Sequence, residues 1–348
     1  MKTKFKVKAG SLSLLAALGI FILLFLAGSI MYPNFLSLRV ILNLFISNAH
    51  LIVLGCGICF TILTGGIDLS VGAVVAMISM ISAALLRGGV NAILVILICL
   101  AVGLLFGTLQ GILIQYFKLH PWIVTLAGMF FARGLCYLID VKSIPITDEL
   151  FHSISQFRVT IMPGYFISIN VLIAVAFLLA CVYISKFTKF GRTVYAMGGN
   201  YQSAVLMGLP VERTKVLVYT LSGFASSLGG VMFTFYTLSG YGLHAQGLEM
   251  DAIAACVIGG VLLTGGVGSL VGPLLGVMTS GVIRTMVDFQ GTLSSWWTKI
   301  FVGSLMLICI VMQVFIVKRG KAKKAEEILE DTQVGENHSE AAKIALED

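Results

Sequence analysis

Long apolar runs separated by short polar stretches dominate this chain. They lie near 12–31, 43–64, 71–86, 92–117, 122–139, 168–185, 214–238, 251–264, 269–287 and 296–316. A helix needs about 20 mostly apolar residues to cross the hydrocarbon core of a bilayer. The pattern predicts an all-α membrane protein, a polytopic bundle of about ten transmembrane helices. The two runs flanking Gly265-Gly266 are short and need help from neighbours. The first run follows Lys2, Lys4, Lys6 and Lys8, as a signal peptide would. It exceeds the usual apolar core of about 7–15 residues, so a retained anchor is expected.

Composition agrees with the pattern. Of 348 residues 58% are hydrophobic and 11% are charged, with a mean hydropathy of +1.01. Soluble domains carry roughly 25% charged residues, and so few could not cover a water-exposed surface. The net charge of +7 does not indicate nucleic acid, because the basic residues border apolar runs. With the N-terminus inside, the basic segment 1–10, the loop 186–213 and the tail 318–348 all fall on the inner side of a membrane domain spanning 11–317. Only Arg39, Arg87, Lys142 and Arg158 remain outside. The outer stretch 140–167 is read either as a connecting loop or as a docking surface. The tail turns from basic to acidic and reads as a solvated appendage. The seven cysteines lie in or beside apolar runs, so Cys56-x-x-Cys59 is read as packing.

One internal repeat is visible. Leu63-Thr64-Gly65-Gly66-Ile67-Asp68-Leu69-Ser70-Val71-Gly72 aligns without a gap on Leu263-Thr264-Gly265-Gly266-Val267-Gly268-Ser269-Leu270-Val271-Gly272. In each copy a glycine pair interrupts apolar sequence before a new helix, as in transporters with broken helices near the solute path. Gly65, Gly66, Asp68, Thr264, Gly265 and Gly266 are therefore candidates for that path. Asp68 is read as capping the helix that begins at Val71 rather than as an ion-coupling group, since the second copy has Gly268 there.

Groupings for catalysis are missing from the sequence. The five histidines are scattered, no Gly-x-Ser-x-Gly elbow occurs, and no P-loop is present, so the chain is read as non-enzymatic and unable to hydrolyse ATP. Arg133 and Arg284 fall inside apolar runs, where charge marks a path or a pair; Arg284 has Asp288 one turn on. Asn43, Asn48, Gln110, Gln115, Thr125, Thr264 and Phe130 could line a polar path or simply join helices. Gly103, Gly107 and Gly111 permit close helix contact, and Trp296-Trp297 suit a membrane interface.

The most informative segment is the inner loop Lys189-Phe190-Gly191-Arg192 through Tyr201-Gln202-Ser203-Ala204-Val205-Leu206-Met207-Gly208-Leu209-Pro210. A basic glycine turn leads into a short amphipathic stretch stopped by Gly208 and Pro210. Tyr201, Val205 and Gly208 would share one face, and Ala204 and Met207 another. Such a stretch suits a partner's groove or the lipid interface.

This loop resembles the coupling helix of ABC importer permeases of the ribose-type monosaccharide branch. The branch pattern falls on Gly198, Gly199, Asn200, Ser203, Ala204 and Gly208, and Gln202 stands where the general permease signature has Glu. Thr64 through Gly72, and Ile258-Gly259-Gly260 through Gly272-Pro273, are also typical of the branch. Ser143-Ile144-Pro145-Ile146 and Gly291 through Lys299 look like a permease of the galactofuranose importer. The resemblance implies an ABC permease subunit in a bacterial inner membrane, with both termini cytoplasmic. It implies ABC ATPase subunits that hydrolyse ATP with Mg, a second permease (a related heterodimer partner or a second copy of itself), an extracytoplasmic sugar-binding protein, and no cofactor on this chain. Gly199, Asn200, Ser203, Ala204 and Gly208 would be the ATPase-coupling residues. The rival readings are an ion-coupled carrier and a membrane enzyme acting on lipid-linked sugar.

Overall fold

The computed structural model describes residues 9–294 and 296–315, with side chains from Ser13 onward. The basic residues at 2–8 and the tail 318–348 lie outside these. The chain divides into two compact units, Met1–Met306 and Leu307–Asp348; of the second only the helical residues 307–315 are described.

In order, the elements are α1 (Ala9–Met31), α2 (Leu38–Leu63), α3 (Val71–Arg87), α4 (Ala92–Gln115), α5 (Pro121–Ile139), β1 (Ile144–Pro145), α6 (Glu149–Gln156), β2 (Arg158–Met162), β3 (Tyr165–Ser168), α7 (Ile169–Phe187), α8 (Lys189–Gly199), α9 (Tyr201–Leu206), α10 (Val211–Thr237), β4 (Ser239–Gly240), α11 (Leu248–Ile258) and α12 (Gly272–Gln290). A last helix, α13, covers Trp296–Phe315. Seven of these are long and apolar enough to cross a membrane: the parts of α1 from Ser13, α2, α4, α5, α7, α10 and α13. The chain is a multi-pass membrane protein. The shorter helices α3, α11 and α12 fall on the remaining apolar runs.

Helix starts follow local chemistry. Ser37 caps α2 by accepting from the Val40 amide at 3.3 Å, and Asn91 caps α4 through Ile93 at 2.9 Å. Pro121 and Pro273 stand at the openings of α5 and α12, where a missing N–H costs nothing. α2 is the innermost helix; from Leu51 to Leu63 every residue is buried.

α4 meets α10 through the glycines seen in the sequence. A Cβ on Gly107 would strike the Tyr219 carbonyl and come within 2.9 Å of Gly223 Cα, and one on Gly103 would reach 2.6 Å from the Gly223 carbonyl. Small residues let two backbones approach where lipid supplies no hydrophobic drive between helices.

The stretch 140–167 is more than a connecting loop. Asp148 caps α6 by accepting from Leu150 and Phe151 amides, each at 3.0 Å. β2 and β3 form a hairpin about Pro163-Gly164, with Gly164 at φ +84 as a type II turn requires. β1 pairs antiparallel with β4, Ile144 opposite Gly240. Arg87 at the end of α3 reaches Asp140 at 3.1 Å. The Lys142 amide, and then that guanidinium, hold the Asp140 carboxyl below the usual carboxylate range.

Two expectations change. The expected run 251–264 stops being helical at Ile258. Gly260, at φ +86, closes α11 with Gly260 N bonded to Val257 O and Val261 N to Cys256 O, a Schellman end. The second sequence copy therefore sits in a loop, while the first ends a helix at Leu63. Only the helix starts correspond, at Val71 and Gly272. The expected Arg284–Asp288 pair is not formed either; among the described residues the ion pairs are Arg87–Asp140 and Lys299–Asp251. Both Arg284 and Asp288 are exposed on α12.

Candidate functional site: the segment 189–210 and the glycine breaks

The segment 189–210 folds as two helices, not as one turn and one stretch. Gly191 and Arg192 lie inside α8, and the chain breaks at Asn200, whose extended backbone (φ −158) places its side chain as the cap of α9. Asn200 Oδ1 accepts from the Ser203 amide at 2.9 Å. Ala204 is fully buried against Met197 and Val211. Tyr201, Val205, Leu206 and Met207 are exposed, Leu206 by 87% and Met207 by 66%. Ala204 and Met207 thus do not share a face as expected, because the six-residue helix turns Met207 outward.

Gly208 ends α9. Its φ of +70 comes with Leu209 N bonded to Ala204 O and Gly208 N to Val205 O, again a Schellman end. No atom lies within 4 Å of where its Cβ would stand, so the constraint is backbone conformation rather than space. Gly208→Val should therefore lower stability by about 1–2 kcal/mol, with Gly208→Asn losing clearly less, measured as thermal melting in detergent.

The end of α8 reaches the core. A Cβ on Gly198 would strike the Leu63 carbonyl and the Gly266 amide, and one on Gly266 would come within 2.6 Å of Gly199 N. Gly266 N donates to Leu63 O at 2.9 Å. Gly65 (φ +77), Gly265 (φ +85) and Gly266 (φ +73) all lie in the left-handed region. The Thr264 carbonyl stands 3.6 Å from where a Cβ on Gly65 would be. The two glycine breaks, 200 residues apart in the repeat, therefore meet each other and α8 at one point. Tyr195 of α8 adds a bond from its hydroxyl to Gly268 O at 3.2 Å, and burial pushes its phenol up to about 12, so it remains a donor.

Asp68 lies next to this point, 1% exposed. Its Oδ1 accepts from Ser70 N at 2.9 Å and Ser70 Oγ at 2.6 Å, and its Oδ2 from Ser222 Oγ of α10 at 2.6 Å. It caps the turn that enters α3 through Ser70, the helix's first flanking residue, rather than bonding Val71 or later amides. Ser70 Oγ also reaches Gln110 Oε1 of α4 at 3.3 Å, and Thr125 of α5 donates to Ile67 O at 3.3 Å. The segment 67–70 is thus pinned to three helices. A Cβ on Gly66 would strike the Tyr219 hydroxyl. Sequence reading missed Tyr219 and Ser222; an acidic residue in apolar sequence signals a partner but does not say which. Phe130 is not in this cluster; it stands 65% exposed on α5.

Beside α9 a groove opens between the α4–α5 link and the start of α10, lined by Gln115, His120, Tyr201, Val205, Glu212 and Lys215. α9 thus presents an exposed apolar face bordered by a groove, and α8 joins it to the two glycine breaks.

The family model described as branched-chain amino acid transport system / permease component matches residues 40–310. The inner membrane ABC transporter permease protein YjfF of Escherichia coli K12 is 42% identical over 304 residues, 87% of this chain and 92% of that protein. The ribose import permease protein RbsC of Bacillus subtilis is 38% identical, over 85% of this chain and 90% of its own length. The fructose import permease protein FruG of Bifidobacterium longum is 36% identical, over 93% and 96%. No solved structure matches the chain. Agreement over nearly the whole membrane domain establishes that this chain belongs to the permease-component family of ABC transporters, in its ribose-type branch, as a non-catalytic membrane subunit.

Proposed function

We propose that this permease imports a monosaccharide, galactofuranose-like or ribose-like, by alternating access driven by partner ATPase subunits. A sugar's hydroxyls each lose water on entering lipid without regaining a hydrogen bond, so a lined path is needed. In this reading about ten apolar helical segments build the membrane domain in a bacterial cell, and both termini and α8–α9 lie on the cytoplasmic side. The segment 140–167 faces an extracytoplasmic binding protein, and a second permease, related or identical, completes the path. Gly199, Asn200, Ser203, Ala204 and Gly208 shape the helix that enters the ATPase.

The observation that carries the reading is the packing of Gly198 against Leu63 and Gly266. Movement of α8 and α9 by an ATPase must shift both glycine breaks, and through Asp68 the start of α3 and the middle of α10. A ligand-driven change needs such a differential contact between states.

The test is loss of partner binding without loss of fold. Leu206→Glu with Met207→Glu places two charges on the exposed face of α9. Co-purification of the ATPase subunits should fall at least about tenfold, in line with a lost interface anchor. Thermal melting of the permease alone should stay unchanged. Full retention of the ATPase would exclude α9 as the docking helix.

A further inference from the structure

The segment between α10 and α11 runs down into the membrane without forming a helix. Gly240 packs against the Ser79 carbonyl and Met80 Cα, while Ala245 O lies 2.8 Å from where a Cβ on Gly72 would stand. Along α3 these contacts are about 10 Å and about 22 Å from Arg87, at 1.5 Å per residue. Arg87 meets the 140–168 region through Asp140, at one end of the bundle. With a hydrocarbon core about 30 Å thick, Tyr241–Gly247 lies inside it. At the other end, Gly259 abuts Gly272, so α11 begins only about 16 Å above the start of α12.

Irregular backbone at that depth must satisfy its polar groups inside the protein or line a water-filled cavity. Arg133 of α5 does the first in part. Its Nη1 donates to Gly242 O at 2.7 Å and His244 O at 2.6 Å, and its Nη2 to Ala245 O at 3.2 Å. The opposite side of the segment is open. Leu243 is 41% exposed and Met250 55%, and Gln246 is exposed with them. Asp251, 17% exposed, pairs with Lys299 of α13, 46% exposed, at 2.7 Å. Tyr137 of α5, 44% exposed, stands beside Gly242. An exposed ion pair and a free amide facing lipid tails at this depth would be expensive.

We propose that Tyr241–Gly247, with Gln246, Asp251 and Lys299, is the polar wall of the solute path at mid-depth, and that it hydrogen-bonds the hydroxyls of the passing sugar. Tyr137 offers an aromatic face beside it. Arg133 is then a positioning residue that holds the wall open, and its charge is spent on carbonyls rather than on the solute. The assignment of a sugar as ligand rests on the import reading above; the assignment of an aqueous wall does not.

Single cysteines at Gln246, Met250 and, as a lipid-facing control at the middle of α7, Leu179 separate the possibilities in the assembled transporter in vesicles. The probe is a small charged methanethiosulfonate; the native cysteines are buried. Because only a hydrated thiolate reacts, Gln246→Cys and Met250→Cys should react at least roughly tenfold faster than Leu179→Cys. Modification at 246 should block uptake. Equal rates at all three positions would mean lipid, and no reaction at 246 and 250 would mean a face sealed by the second permease; either overturns the proposal. A second variant pair, Asp251→Asn with Lys299→Met, should lower uptake with unchanged melting, whereas a lipid-facing pair would leave uptake intact and raise the melting temperature. Absence of ATP-driven uptake by the unmodified complex would refute the import reading alone, since the labelling rates need no transport.

Discussion

Gly198→Val is expected to cut ATP-driven uptake sharply through a clash that Gly199→Ala, one residue on, does not create. The two glycines end the same helix but differ in what surrounds them. A side chain at 198 would strike the Leu63 carbonyl and the Gly266 amide, which are bonded to each other at 2.9 Å, whereas nothing lies within 4 Å of a Cβ at 199. Forcing the first pair apart costs about 1–3 kcal/mol in overpacking and about 1–3 kcal/mol for a buried polar group left unpaired. That is enough to move α8 off the glycine breaks without unfolding seven long helices. Uptake should drop at least tenfold, by the ratio of about 1.4 kcal/mol per decade. ATP hydrolysis by the bound ATPases should persist. If Gly198→Val transported as well as Gly199→Ala, the contact between α8 and the breaks would carry no motion.

The second large effect is at Asp68. Asp68→Ala removes the acceptor for the Ser70 amide, the Ser70 hydroxyl and the Ser222 hydroxyl at once. Hydroxyls can turn to other carbonyls, but the Ser70 amide cannot, so a loss of about 1–3 kcal/mol is expected. Asp68→Asn should fall between this and Ser222→Ala, because one oxygen survives and the new amide hydrogens face other donors. Melting temperature in detergent should follow that order, and uptake should follow melting. An ion-coupling carboxylate behaves differently: Asp68→Asn would then keep its stability and lose transport together with any dependence on an ion gradient.

Much of this was readable from residues alone, for physical reasons. Lipid demands long apolar runs, and among the described residues seven of the ten fall on helices long and apolar enough to cross it. Gly103, Gly107 and Gly111 follow a spacing that stacks them on one helix face, and that face meets Gly223. Gly208 and Pro210 mark a helix stop that the structure realises as a Schellman end. What sequence could not supply was tertiary. The bond from Ser222 to Asp68 joins residues 154 apart, and no local spacing announces it. The matching of 63–72 with 263–272 suggested two equivalent breaks, yet Gly259-Gly260 had already ended the second helix. Arg133 was recognised as costly, but its partners are backbone carbonyls of an unwound segment, which leave no side-chain signature. Asn200 was seen as part of a pattern; its role in splitting α8 from α9 depends on an extended backbone at Asn200 that no local spacing announces.

The energy source is the centre of the functional reading, and vesicle uptake tests it most directly. Vesicles would carry this permease, its permease partner and the ATPase subunits, with the binding protein and labelled galactofuranose or ribose outside and ATP within. An ATP-driven importer accumulates one of these sugars, stops with vanadate or without the ATPase, and ignores collapse of ion gradients. Uptake by the permease without the ATPase, rising and falling with an ion gradient, would contradict it.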